Sequence, residues 1–242
     1  MEVIRVKDYE EMTQKLLELF TDTIRRKPDC VLSFTTGATP KGLLEALAEQ
    51  INQGLDISQC VFCNLDEYVG EKAKVYSVWH FMREYLYDRI RVQPREIHMF
   101  NGEAEEEEAE LRRYQKVLEK YPRDLQLLGL GTNGHIGANE PGTPFDSSVF
   151  VSDSRESTIE ATQKLFGLTR EEAPERMYTM GFREIMQAKQ VVLAASGISK
   201  AEAVKKLLEG EITEEVPATC LRRHENCILI VDQEAASYLE KA

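Results

Sequence analysis

The stretch LGLGTNGHIGANEPG, residues 128–142, holds five glycines, His135 and Glu140 in a segment that begins apolar and ends on a Pro-Gly turn. Two chemistries compete for it. Gly129, Gly131 and Gly134 reproduce the G-x-G-x-x-G spacing of a dinucleotide loop, whereas a histidine near an acid suits proton transfer near neutral pH. The nucleotide reading needs the glycines to open a long helix, and Gly137 followed by Pro141-Gly142 leaves no room for one. It also needs the first strand-to-helix turn of a domain, and this motif lies mid-chain. The stretch therefore reads as an irregular loop that lets backbone approach a ligand, with Asn133, His135 and Glu140 as its polar groups. For His135 taken alone, a purely structural histidine is the competing reading.

Three further segments carry groups of the same kind. In TTGATPKG, residues 35–42, Thr36, Gly37, Ala38 and Thr39 join an apolar run to a helical pattern with Pro40 in its first turn. Free backbone N–H groups, two hydroxyls and Lys41 there form a candidate anion site, with ordinary helix capping as the alternative. It is not a Walker loop, because Gly42 is followed by Leu43. SGISKAEAVKKLLEG, from Ser196, repeats the logic: Lys200 at the positive end of a helix is misplaced unless an anion joins it. In CNLDEYVG, from Cys63, alternation sends one of Asp66 and Glu67 into the cleft and the other away. A carboxylate so placed serves as a base; a helix-cap role for Asp66 is the alternative.

These segments need a frame that brings them together. Apolar or β-branched runs at VLSFTT (31), VFCNLD (61), IHMF (97), LQLLGLG (125), VVLAASG (191) and ILIVD (228) alternate with helical periodicity at 12–24, 42–51, 78–90, 108–121 and 200–210. The alternation predicts an α/β fold: a mainly parallel twisted sheet with helices on both faces, since parallel strands need crossover helices. In such a sheet ligands sit beyond the carboxyl ends of the strands, where the strand order reverses, and the polar segments all follow predicted strands.

The chain of 242 residues shows no linker and no repeat, so one domain over 1–242 is expected. A net charge of −12 argues against nucleic acid or an anionic membrane as partner, yet allows a small phosphorylated substrate held in a local positive pocket. No basic apolar leader and no membrane-length apolar run is present, which points to the cytoplasm. Five cysteines, an odd number, fit reduced thiols better than a disulfide framework. Cys60 and Cys63 form a C-x-x-C, but on a strand they face opposite sides, so buried thiols are expected rather than a zinc or redox pair.

In this order TGATP, NLDEYVG, GLGTNGHIGANEPG and SGISKAEA resemble the glucosamine-6-phosphate deaminase family, also called glucosamine-6-phosphate isomerases, over essentially the whole chain. The resemblance implies a three-layer, Rossmann-like fold of the amino-sugar phosphate isomerase type. It implies a hydrolase that converts glucosamine 6-phosphate to fructose 6-phosphate and ammonia by deaminating aldose–ketose isomerisation, with no metal or organic cofactor. Asp66 would move a proton between C2 and C1. His135 would open the pyranose ring, with Glu140 holding and polarising it and Asn133 standing where some members have aspartate. The loop Thr36, Gly37, Ala38, Thr39 and Lys200 would grip the phosphate, with Lys164 at the position of a family arginine. Lysine there keeps the charge and loses the planar fork. After the NEPG turn the chain reads DSSVFVSD where the family commonly carries arginines. These departures and TGATP resemble galactosamine-6-phosphate deaminase/isomerase relatives, whose product would be tagatose 6-phosphate. The 6-phosphogluconolactonases share the fold without this pairing of motifs; a lactonase-like hydrolase or a non-catalytic sugar-phosphate regulator are the remaining alternatives. A homo-oligomer is left open.

Overall fold

A computed structural model describes residues 1–239. In chain order the first half runs β1 (Glu2–Val6), α1 (Tyr9–Arg26), β2 (Val31–Phe34), α2 (Ala38–Asn52), β3 (Val61–Asn64), β4 (Asp66–Tyr68), α3 (Val78–Met82), β5 (Glu96–His98), α4 (Glu107–Lys120) and β6 (Leu125–Gly129). The second half adds β7 (Phe150–Asp153), α5 (Glu156–Phe166), β8 (Arg176–Thr179), α6 (Phe182–Met186), β9 (Val191–Ala195), α7 (Ala201–Glu209) and β10 (Cys227–Asp232).

Seven strands form one parallel sheet in the order β1-β10-β9-β6-β2-β3-β5. Parallel strands buried on both faces need apolar side chains on both, and β9 and β10 are buried at every position. Alternate residues feed two cores. Leu32, Phe34, Phe62, Val192 and Ile230 join side chains of α1, α2 and α3 on one face. Cys63, Leu128, Leu193 and Leu229 join α4, α6 and α7 on the other. This is the layered, helix-covered sheet expected from the alternating pattern.

Helix α1 illustrates how local signals fix an element. Asp8 accepts the Glu11 N–H at 3.0 Å as N-cap, Glu10 and Glu11 occupy the first turn, and Arg25 and Arg26 the last. Met12, Leu16, Phe20 and Ile24, four residues apart, are buried along one face.

The chain moves outward from β2 through β3 to β5, then returns to place β6 on the other side of β2. The order therefore reverses between β2 and β6. The carboxyl ends of the four adjacent strands β9, β6, β2 and β3 carry the four polar segments, so the topology assembles what lies scattered in sequence.

The structure adds elements that the sequence pattern did not disclose. Beyond edge strand β1, β4 pairs antiparallel with β8, and β8 with β7, as a separate three-stranded sheet. Strands of three or four residues are too short to display an alternating pattern. Helices α5 and α6 lie among these insertions. The helix expected over 78–90 is α3 followed by a π-helical turn at Arg83–Tyr87, and the one over 200–210 is α7 preceded by a 3-10 turn at Ile198–Lys200. Cys60 and Cys63 belong to opposite cores, and all five cysteines are buried free thiols. No helix of the described residues is long and apolar enough to cross a membrane.

Candidate active site

Leu65 alone separates β3 from β4, and its backbone is held at both groups: its N–H donates to Phe34 O at 2.8 Å and its C=O accepts from Met180 N at 2.9 Å. This short link plants Asp66 and Glu67 beside the sheet's carboxyl edge and separates their roles. Glu67 turns to the start of α3, where its Oε1 accepts the Tyr68 and Val78 N–H groups and its Oε2 the Trp79 N–H, each at 2.8 Å. It satisfies donors that a helix start would otherwise leave bare. Burial pushes its pKa up to about 7 against the pull of these three N–H groups. Glu67, not Asp66, is thus the capping acid.

Asp66 has no comparable support. It is 5% exposed, and its Oδ1 is buried without a hydrogen-bond partner among the described residues. Burial alone pushes its pKa up to about 7. An orphaned buried acceptor is costly, and a carboxyl that exchanges its proton near neutrality is what a general base requires.

Its cross-strand partner Thr179 ties it to the glycine-rich loop, because Thr179 Oγ1 accepts the Ala138 N–H at 3.2 Å. In that loop Asn133 donates its Nδ2 amide to Glu140 Oε2 at 2.8 Å and so presents Oδ1 to His135. His135 Nδ1 lies 2.8 Å from that oxygen and therefore carries the proton, which leaves Nε2 as the free, basic nitrogen. Glu140 Oε2 also lies 3.5 Å from His135 Nδ1, so the loop's own acid supplies the negative charge that the Asn133 amide lacks. Glu140 is 5% exposed; burial works to raise its pKa, but His135, Thr158 and Asn133 overcome it and hold it down at about 2.

Glycine is required at 131 for a direct reason: a Cβ built there would overlap the His135 ring. Gly37, with φ +117, caps α2, so Ala38 and Thr39 open that helix with their N–H groups free of intrahelical partners. Thr36, Gly37 and Thr39 are half-buried and Ala38 exposed, leaving the candidate anion loop accessible. Lys41 does not join it. Its Nζ sits 4.5 Å from the Tyr85 ring centroid, drawn away by a cation–π contact.

Lys200 ends the 3-10 turn before α7, and burial lowers its pKa, with no carboxylate in ion-pair range among the described residues. A half-buried ammonium without a counter-ion at a helix start is a place for an anion. Lys164 is not gathered into this group: it is exposed in the last turn of α5 and makes no hydrogen bond or ion pair with these loops among the described residues.

Several participants escaped the sequence reading. Thr158 Oγ1 donates to Glu140 Oε1 at 2.5 Å, and Thr162, one turn on, meets the Tyr68 hydroxyl at 3.1 Å. Helix α5 thus bridges the Asp66 strand and the His135 loop. The i, i+4 threonines in ESTIEAT were the available signal. Among the described residues no group of three or more His, Cys, Asp or Glu side chains is placed to hold a metal.

Residues 7–230 match the family described as glucosamine-6-phosphate isomerases/6-phosphogluconolactonase. The chain belongs to this family. Within the family, a glucosamine-6-phosphate deaminase of Thermoanaerobacter sp. (strain X514) is 41% identical over 242 residues, 99% of this chain and 95% of the relative. A solved structure of a monomeric glucosamine-6-phosphate deaminase superposes with a TM-score of 0.94 at 39% identity, covering 98% of this chain and all of the other. The 6-phosphogluconolactonase of Trypanosoma brucei shares the fold at a TM-score of 0.79 and 20% identity, covering 98% of each chain.

Proposed function

We propose that this chain is a glucosamine-6-phosphate deaminase, converting glucosamine 6-phosphate to fructose 6-phosphate and ammonia, with residues 1–242 acting as one catalytic domain in the cytoplasm. The observation that carries the reading is Asp66: a buried carboxyl with an unpartnered oxygen and a pKa of about 7 at a strand tip. The relatives that share the family's deaminase name over nearly the whole chain support the same substrate.

The free Nε2 of His135 takes the proton of the C1 hydroxyl and returns it to the ring oxygen, opening the pyranose while Glu140 and Asn133 stabilise the charged imidazole. Ionised Asp66 then removes the C2 proton of the open aldehyde. The electron pair forms a C1=C2 enol-amine as the C1 oxygen takes a proton from solvent. Asp66 returns its proton to C1, leaving a protonated 2-imine; water adds at C2, releasing a proton to solvent, and ammonia departs, giving the 2-ketose. Two proton-transfer sites are needed because the ring oxygen and C2 are different positions on the sugar, which accounts for one lone acid and one relayed histidine. The Thr36–Thr39 loop and Lys200 hold the phosphate, and Lys164 joins them if α5 closes over bound substrate.

Ammonia release from glucosamine 6-phosphate by the parent, and its loss in Asp66→Asn, tests the reading. Release retained in Asp66→Asn refutes Asp66 as the shuttle, and no release by the parent refutes the activity. TGATP and Lys164 favour a second substrate, galactosamine 6-phosphate; a higher kcat/KM for that 4-epimer would transfer the assignment to it.

A further inference from the structure

The loop that carries Lys200 is anchored by a residue outside the four polar segments. Asp232 ends β10, the strand beside β9, and is 4% exposed. Its Oδ2 accepts the Ser196 hydroxyl at 2.5 Å and the Gly197 N–H at 3.0 Å. Its Oδ1 takes the Gly197 N–H at 3.2 Å and the Ala235 N–H at 2.8 Å. Among the described residues no Lys, Arg or His lies in ion-pair range of it.

A buried, unpaired carboxylate beside a pocket for a dianionic phosphate is electrostatically adverse, because like charges repel most where water is excluded. Its presence there calls for a geometric return. Gly197 has φ +88, a backbone state that must be held in place by the surrounding contacts, and it is the residue from which the Ile198–Lys200 turn springs. Ser196 and Gly197, two of the three donors on Asp232, fix the entry of that turn to the end of the sheet, and the third, Ala235, ties Asp232 to the segment after β10.

We propose that Asp232 is a positioning residue for phosphate binding: it clamps Ser196 and Gly197 so that the Lys200 turn is preformed to receive the phosphate of the sugar. This rests on the functional reading above for the identity of the substrate, but the clamp itself acts on any phosphate. An amide in place of the carboxylate keeps the shape, removes the charge, and turns one acceptor into a donor facing the Ser196 and Gly197 donors. If charge were all that mattered, the amide would tighten phosphate binding; as a clamp, its loss loosens it.

Inorganic phosphate binding is measured by calorimetry on the parent, Asp232→Asn and Ser196→Ala, alongside steady-state kinetics with glucosamine 6-phosphate. The clamp predicts a rise of about tenfold in both the phosphate Kd and the KM for Asp232→Asn, with kcat changed less than threefold. For Ser196→Ala, which removes one bond and leaves the charge, it predicts a smaller rise of the same sign, and this holds the test open if Asp232→Asn fails to fold. Unchanged or tighter phosphate binding in a folded variant overturns the proposal, as does a parent that binds no phosphate. A parent that binds phosphate yet releases no ammonia instead refutes the functional reading, while the phosphate Kd series still decides the clamp.

Discussion

The reasoning about Asp66 makes a claim on stability as well as activity. Burial raises its pKa from 3.8 to about 7, so the folded state holds a proton that the unfolded chain has already released. Between those two values the unfolded state binds fewer protons, and stability falls as pH rises. The relative stabilisation is complete below about pH 3.8, declines through the window and is fully lost above about pH 7. The whole gap corresponds to roughly 4 kcal/mol, of which about 2 kcal/mol falls between about pH 5.5 and 8.5. The buried amide of Asp66→Asn carries a desolvation cost of its own, but that cost is the same at both pH values and cancels from the change between them.

Urea denaturation of the parent and Asp66→Asn at the two pH values reads this directly. The variant is expected to gain on the parent by up to about 2 kcal/mol from the lower to the higher pH, because asparagine has no proton to lose. Glu67 titrates in the same region but is present in both proteins, so its direct contribution cancels in the comparison. Ammonia release by the variant should vanish, while parent kcat/KM should climb with pH through about 7 as the base ionises. A stability difference that stays flat with pH would refute the claim that burial sets the proton affinity of Asp66. Retained turnover in the variant would refute its role.

Two further perturbations test the ring-opening loop. Gly131→Ala forces the His135 ring from its place, and kcat/KM should drop on the order of 100-fold while the folded state persists, as checked by circular dichroism. Retained activity would mean that the imidazole works from another position. Glu140, held down at about 2 from 4.5, contributes stability that is present above about pH 4.5 and is lost as pH falls toward 2. Glu140→Gln should therefore cost roughly 1–2 kcal/mol at neutral pH after solvent screening, and flatten the acid limb of stability; equal pH dependence in parent and variant contradicts the His135–Glu140 coupling.

The parallel sheet was legible because strands buried on both faces must be apolar throughout, as β9 and β10 are. The candidate groups Asp66, Asn133, His135, Glu140 and Lys200 were legible as candidates for the complementary reason: polar residues that follow such strands stand at the edge where a doubly covered sheet binds ligands. What each group does to its neighbour was not legible. Asp66 and Glu67 are adjacent carboxylates at a strand end, and only the N–H groups of Val78 and Trp79, more than ten residues on, decide which becomes the cap and which is left without a partner. Lys41 sits in a candidate anion-binding segment yet is claimed by Tyr85 from the π-helical turn. Thr158 and Asp232 act on Glu140 and Gly197 across chain separations that no periodicity encodes. Chemistry can thus be anticipated from residue type and strand register, because both are local. The proton affinities depend on which donors arrive from elements distant in the chain, such as α3 and α5, and those are properties of packing. The unpartnered oxygen of Asp66 is the extreme case: three N–H groups go to its neighbour Glu67, none reaches this oxygen among the described residues, and burial alone raises its proton affinity.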